Sequence, residues 1–247
     1  MHRIKLVIEY DGTHYAGWQR QENVPTIQEE IEKAIVKFSG LSSVVLHVAG
    51  RTDAGVHALG QVAHVDVPVR FGAETVMRAI NHYLEDQPIA VVNATGVDSE
   101  FHARFSAIKR RYLYRILNRR PKSTLDQYRV WHVPVDLNVS RMKSAAQFFL
   151  GQHDFTSFRT VHCQGKSPIK TLDSFNIIPK GNEIECWIEA PSFLHHQVRN
   201  MVGTLVEIGK GRWEAQDIKR ILEAKDRSAA GPTAPPYGLY FISVTYK

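Results

Sequence analysis

Between Ile4 and Val97 the spacing of apolar residues changes period in a fixed order, two, 3.6, two, two, 3.6, two, and few folds accept that order. Ile4, Leu6, Ile8 and Tyr10 alternate onto one face and predict a strand over Ile4–Tyr10. Thr26 followed three residues later by Glu29 predicts a capping box and a helix start, with Ile27, Ile31, Ala34, Ile35 and Phe38 as the apolar stripe. Val44–Ala49 and Gln61–Val67 predict strands, the second stopped by Pro68. Ala73–Leu84 predicts a second helix through Val76, Met77, Ile80 and Leu84, and Pro88–Val97 a closing strand. The order β-α-β-β-α-β gives a four-stranded antiparallel sheet backed by two helices. Sheets of this shape often carry RNA on the open face, although a fold alone does not fix a function.

The rest of the chain repeats the rhythm less cleanly. Ile108–Leu117 and Arg129–Val135 predict strands, and Val139–Leu150 a helix with Met142, Ala146 and Phe149 inward, ended at Gly151. Ser174–Ile178 and Glu183–Glu189 predict a hairpin turning at Gly181-Asn182; His195–Ile208 and Ala215–Ala224 predict helices, and Leu239–Tyr246 a last strand. The expected fold class is α/β (α+β): two related split β-α-β-β-α-β, ferredoxin-like halves, residues 1–106 and 107–247, whose antiparallel sheets form a central RNA-binding cleft. The 247 residues and a 43% hydrophobic fraction are enough for packed cores. No run approaches the ~18 apolar residues of a membrane span, and the start carries no signal-peptide pattern. Cys163 and Cys186 are too few for a disulfide framework. A cytoplasmic protein is expected.

The charge of +6 is unevenly placed. Residues 1–106 carry 9 basic and 13 acidic side chains, a net of −4, and residues 107–247 carry 22 and 12, a net of +10. A polyanionic partner served by the second half and an ordinary solvated basic surface both fit. Phe101–Leu125 holds Arg104, Lys109, Arg110, Arg111, Arg115, Arg119, Arg120 and Lys122 without one acid, with Tyr112 and Tyr114 interleaved on one strand face. Arginines track phosphates while aromatics stack on bases.

No phosphate-cradling Gly-rich loop, no Cys-x-x-Cys and no His-Glu-x-x-His is present, and His195-His196, adjacent on a predicted helix, point apart. Neither metal nor cofactor is expected. The segment Gly50-Arg51-Thr52-Asp53-Ala54-Gly55-Val56-His57-Ala58 stands out: a carboxylate at a strand exit, framed by glycines, with Arg51 two residues before it. An aspartate held ionised there has the state a carboxylate nucleophile needs. A structural turn whose Asp accepts backbone N–H bonds is the alternative. The aromatics of Glu9–Gln21 suit either base stacking or packing. Arg199, in the most apolar helix of the second half, calls for a buried anion, and Asp53 would serve.

Together these segments resemble the tRNA pseudouridine synthase A family. The 50–58 loop is similar to its catalytic motif, and Glu9-Tyr10-Asp11-Gly12 with Gly17-Trp18-Gln19 to its N-terminal signature. Lys109-Arg110-Arg111-Tyr112, Asp154-Phe155-Thr156-Ser157-Phe158, Val198-Arg199-Asn200 and Gly238-Leu239-Tyr240 follow in family order. The resemblance implies an isomerase that converts uridine to pseudouridine at positions 38, 39 and 40 of the tRNA anticodon stem-loop, as a homodimer, without metal or cofactor. It implies Asp53 as nucleophile, Tyr112 stacked on the target uracil, Arg199 paired with the aspartate and Leu239 beside the uracil; Arg51 is expected to bind the substrate. Lys109, Arg110, Arg111 and Arg115 are the expected RNA track. Attack at uracil C6 and action at the sugar C1′ are both open to Asp53. A non-catalytic RNA-binding module would explain the charge but not the Asp53 loop. A two-carboxylate hydrolase would need Asp11 or Asp154 as its second acid.

Overall fold

The computed structural model describes residues 1–160, 163 and 167–247. In chain order its elements are β1 (His2–Tyr10), α1 (Ile27–Ser39), β2 (His47–Val48), β3 (His57–Val67), α2 (Ala73–Tyr83), β4 (Ile89–Val97), β5 (Ala107–Asn118), β6 (Trp131–Val133), α3 (Val139–Ala146), β7 (Gly151–Asp154), β8 (Ile169–Leu172), β9 (Ser174–Lys180), β10 (Glu183–Ala190), α4 (Gln197–Gly209), α5 (Asp217–Ala224) and β11 (Leu239–Tyr246). Among the described residues the strands of this mixed α/β chain pair mostly antiparallel, with β7 and β8 forming a separate two-stranded sheet. Two compact units emerge: residues 1–108 with 240–247, and residues 109–239. Among the described residues no helix is long and apolar enough to cross a membrane.

In the first unit β1 lies between β3 and β4, antiparallel to both. Ile4, Leu6, Ile8 and Tyr10 point inward, at most 3% exposed, and the stripes Ile27, Ile31, Ala34, Ile35 of α1 and Val76, Ile80 of α2 are buried with them. Phe38 is half-buried, edge-on to Phe71. Strand β11 adds in parallel beside β3, pairing Tyr240 with His57 and Phe241 with Ala58.

Nearly every residue of β3 is buried, because its second face is covered too. The segment 101–106 crosses it: the Ala103 N–H donates to His64 Nδ1 at 3.1 Å, and Tyr246 Oη donates to the Ala103 carbonyl at 2.8 Å. Phe101, Val7, Val244 and Tyr246 gather round Ala49, Val62 and Ala103. The sheet face that a shape argument would leave to RNA is thus partly occupied by the chain itself. Burial on that face also lowers the His64 pKa to about 4, reinforced by Arg3, His47 and His102.

Two expectations fail here, each for a physical reason. The capping box does not form: Thr26 occupies the cap position in extended conformation but makes no side-chain cap bond. The first helical N–H groups are already taken, Ile27 by the Gly17 carbonyl (3.2 Å) and Gln28 by the Trp18 carbonyl (3.0 Å). Glu29 pairs instead with Lys33 at 3.3 Å. The strand expected over Val44–Ala49 shrinks to His47–Val48, since the Leu46 N–H is diverted to Glu32 Oε1, 3.1 Å away.

The second unit is built on β5, β10 and β9, with β10 antiparallel to both neighbours and the β9–β10 hairpin turning at Gly181 with φ 58°. Strand β6 runs parallel to the end of β5 and is shorter than the span expected over Arg129–Val135. Helix α3 ends at Ala146 and gives way to a 3-10 turn over Gln147–Phe149. Met142, Ala146 and Phe149 are fully buried, and Phe149 clusters with Phe155, Phe158 and Phe175. The short β7–β8 pair has no counterpart in the sequence pattern. Helix α4 begins at Gln197, with His196 left-handed at its cap (φ 64°), so His195 and His196 precede the helix and do not lie on it as expected. Their rings lie 4.2 Å apart.

Candidate active site

Asp53 sits on the loop between β2 and β3, half-buried, with Ala54 and Gly55 forming the turn and Gly55 left-handed at φ 75°. The Val56 N–H donates to the Asp53 carbonyl at 3.2 Å. Arg51 is exposed and Thr52 buried.

What fixes this loop is the segment after β1. The Trp18 N–H donates to the Thr52 carbonyl (3.1 Å) and the Gly55 N–H to the Tyr15 carbonyl (3.3 Å). Gly12 donates its N–H to His57 Nδ1 at 3.0 Å, with Asp11 Oδ1 3.2 Å from the same nitrogen. The approach is too close for side chains: a Cβ on Gly12 would lie 2.1 Å from the Val56 oxygen, and one on Gly17 2.7 Å from the Thr52 oxygen. Gly17 also needs its left-handed φ of 101°. Tyr10, Tyr15 and Trp18 are 3%, 7% and 1% exposed. Of the two roles open to these aromatics, packing is therefore the one they fill, behind the Asp53 loop. Tyr15 Oη donates to Gln87 Oε1 at 2.7 Å.

The remaining candidates lie in the second unit. Tyr112 is buried on β5, opposite Ile188, with Phe193 edge-on at 5.1 Å. Tyr114 shares its face, fully buried, and donates its hydroxyl to the Pro235 carbonyl at 2.8 Å. Burial pushes that hydroxyl's pKa well above its usual 10, against the pull of the Arg199 charge. Arg199 Nε donates to the Ala234 carbonyl at 2.8 Å, and the Ala234 N–H returns a bond to the Arg199 carbonyl at 3.1 Å. Leu239 opens β11 and is 5% exposed.

Beyond Gly238 the sequence reading does not single out the segment 230–238, which holds Tyr114 and Arg199 and leads into Leu239. A Cβ on Gly203 of α4 would lie 1.8 Å from the Pro232 oxygen, and one on Gly238 2.7 Å from the Tyr114 ring. Asn200 Oδ1 accepts from Thr233 Oγ1 (2.7 Å) and Arg227 (3.2 Å), while its amide donates to the Phe158 carbonyl (2.8 Å). The Gly and Pro density of 231–238 was the available signal. The Asp154–Phe158 motif is structural: Phe155 and Phe158 are core, and Ser157 Oγ donates to the Ile221 carbonyl at 2.5 Å.

The basic strip looks different once β10 is beside it. Lys109 lies 3.3 Å from Asp173 and 3.5 Å from Glu189, Arg111 3.1 Å from Glu189, and Arg115 is bidentate on Glu183 at 3.0 and 3.1 Å. The Arg111 guanidinium also covers the Trp187 ring at 4.5 Å. Arg110 donates to the Pro191 carbonyl at 2.6 Å.

A carboxylate presented on a clamped loop, in a split α/β chain with arginines and buried tyrosines on one strand, is a build that an RNA-modifying enzyme can use, and the family rather than the fold decides it. Residues 6–106 and 145–247 match the family model described as tRNA pseudouridine synthase. The chain is 56% identical over 246 residues to the tRNA pseudouridine synthase A of Rhodospirillum rubrum, covering all of this chain and 88% of that one. It is 53% identical to the protein of that name from Paramagnetospirillum magneticum (96% of its length) and 50% to that from Maricaulis maris (98%). The chain belongs to the tRNA pseudouridine synthase family and is an isomerase.

Proposed function

We propose that this chain isomerises uridine to pseudouridine at positions 38, 39 and 40 of the tRNA anticodon stem-loop, with Asp53 as the reacting carboxylate. The supporting observation is the clamped Asp53 loop in a member of this family. The N1–C1′ bond breaks, the uracil turns, and C5 bonds to C1′, so the C5 hydrogen leaves to solvent and N1 gains a proton. The target base first leaves its stack, at a cost of a few kcal/mol recovered in the pocket. Tyr112 and Leu239 hold the ring, Arg51 contacts the substrate, and Arg199 keeps Asp53 ionised. The family likeness extends the reading to a cytoplasmic homodimer, with the catalytic loop in residues 1–106 and the RNA track in 107–247. The test is tRNA labelled with tritium at uridine C5. The purified chain releases label to water, and only from tRNA carrying uridine at positions 38–40. No release, or release from any uridine, overturns the reading.

Lys109, Arg110, Arg111 and Arg115 are the proposed RNA track, steering phosphates as double-stranded RNA requires. The paired test takes Arg110 from this track and the exposed Arg120 from the same basic segment. Replacing both with Ala flattens the slope of log affinity against log salt by about 0.7–0.9 for each phosphate no longer neutralised. An unchanged slope in a filter-binding titration removes the strip from the track.

A further inference from the structure

Behind the Asp53 loop is a buried polar group that the catalytic roles above do not use. Gln61 is fully buried in β3, Tyr10 ends β1, and Thr52 precedes Asp53 with 7% exposure. Gln61 Nε2 donates to the Gly50 carbonyl at 2.8 Å and reaches Tyr10 Oη at 3.4 Å; its Oε1 accepts the Val62 N–H at 3.2 Å. Those partners fix the amide's orientation, since a carbonyl demands the nitrogen and an N–H demands the oxygen. With Tyr10 Oη accepting from Gln61, its own proton goes to Thr52 Oγ1, 2.8 Å away. The Trp18 N–H holds the Thr52 carbonyl on the other side. The main chain before the carboxylate is therefore tethered at three points on two residues: the Gly50 carbonyl, the Thr52 hydroxyl and the Thr52 carbonyl.

We infer that Tyr10 and Gln61 are positioning residues for Asp53, setting through Thr52 and Gly50 the main chain from which the carboxylate projects. The inference rests on the proposed role of Asp53. An apolar core would fill the same space without orienting anything; a fully hydrogen-bonded buried network permits one arrangement. A misplacement of about 1 Å at a reacting group costs on the order of a hundredfold in rate, which is the effect such tethers prevent. Burial raises the Tyr10 pKa to about 12. Its hydroxyl therefore keeps its proton across the working range and acts as a donor, not as an acid.

The experiment is single-turnover tritium release with saturation kinetics for wild type, Tyr10→Phe, Thr52→Val, Thr52→Ser and the double variant Tyr10→Phe/Thr52→Val, with melting temperatures alongside. Tyr10→Phe and Thr52→Val each lower kcat about tenfold or more with KM held within about twofold. Thr52→Ser, which keeps the hydroxyl, recovers most of that loss. The double variant falls no further than either single one, because all three cut the same link. The Tyr10→Phe loss is the same factor at about pH 6 and pH 9. If Tyr10→Phe fails to fold, the Val and Ser pair at Thr52 decides the matter. Wild-type kcat in folded Tyr10→Phe or Thr52→Val overturns the inference. So does a rise in KM at constant kcat, a pH-dependent loss, or Thr52→Ser falling as far as Thr52→Val. An inactive wild type overturns the proposed function itself, which separates the two failures.

Discussion

Asp53→Asn abolishes pseudouridine formation, a loss on the order of a thousandfold or more in turnover, while the affinity for tRNA stays within about threefold. The two side chains are nearly the same size, and the amide keeps an oxygen for any N–H the loop offers. What disappears is the negative charge and the electron pair that forms a bond. A thousandfold is about 4 kcal/mol of barrier, more than the roughly 1 kcal/mol that removing a neutral hydrogen bond supplies. A large effect therefore separates chemistry from loop packing. In the proposed reading affinity comes from phosphate contacts of the basic strip, which the substitution leaves untouched. Single-turnover tritium release with filter binding on the same preparations checks both halves. Turnover within tenfold of wild type would return Asp53 to the structural turn that the local sequence also allowed.

How much of this arrangement was legible in the sequence depended on whether its causes were local. The strands and helices of the first unit were readable because β1 and both helices bury one face each, and period reports a one-faced burial. The capping box expected over Thr26 and Glu29 is absent where the helix start is held another way: the Ile27 and Gln28 N–H groups bond the Gly17 and Trp18 carbonyls, partners brought by the fold. The basic strip misled in the same way. Arg111 and Glu189 are 78 positions apart in the chain yet face each other in the ladder, so a segment with no acid in sequence is lined with acids in space. Asp53 was visible as a carboxylate among glycines. That Gly12 and Gly17, roughly forty residues earlier, hold its loop was not, because a close approach leaves no mark on either segment alone.

Gly12→Ala tests that clamp more severely than any other single change. Its Cβ would sit 2.1 Å from the Val56 oxygen, 2.7 Å from the carbonyl carbon and 3.2 Å from the nitrogen. All three are main-chain atoms, so no rotamer change relieves the clash, and the 11–21 segment and the Asp53 loop must separate. Separation stretches the Gly12 N–H bond to His57 and the Trp18 bond to Thr52. Overpacking of this kind costs about 1–3 kcal/mol or more in stability, and displacement of the loop about a hundredfold in turnover. Two other glycines separate clash from conformation. Gly40 has nothing within 4 Å but a φ of 73°, so Gly40→Ala costs about 1–2 kcal/mol and leaves turnover intact. Gly96 has neither constraint, and Gly96→Ala holds or gains about 0.4–1 kcal/mol. Denaturant unfolding beside tritium release distinguishes the three. If Gly12→Ala melts and turns over like Gly96→Ala, the contact between the two loops carries no weight. If it loses stability while the folded fraction turns over at the wild-type rate, the clamp holds the fold together without aiming the carboxylate.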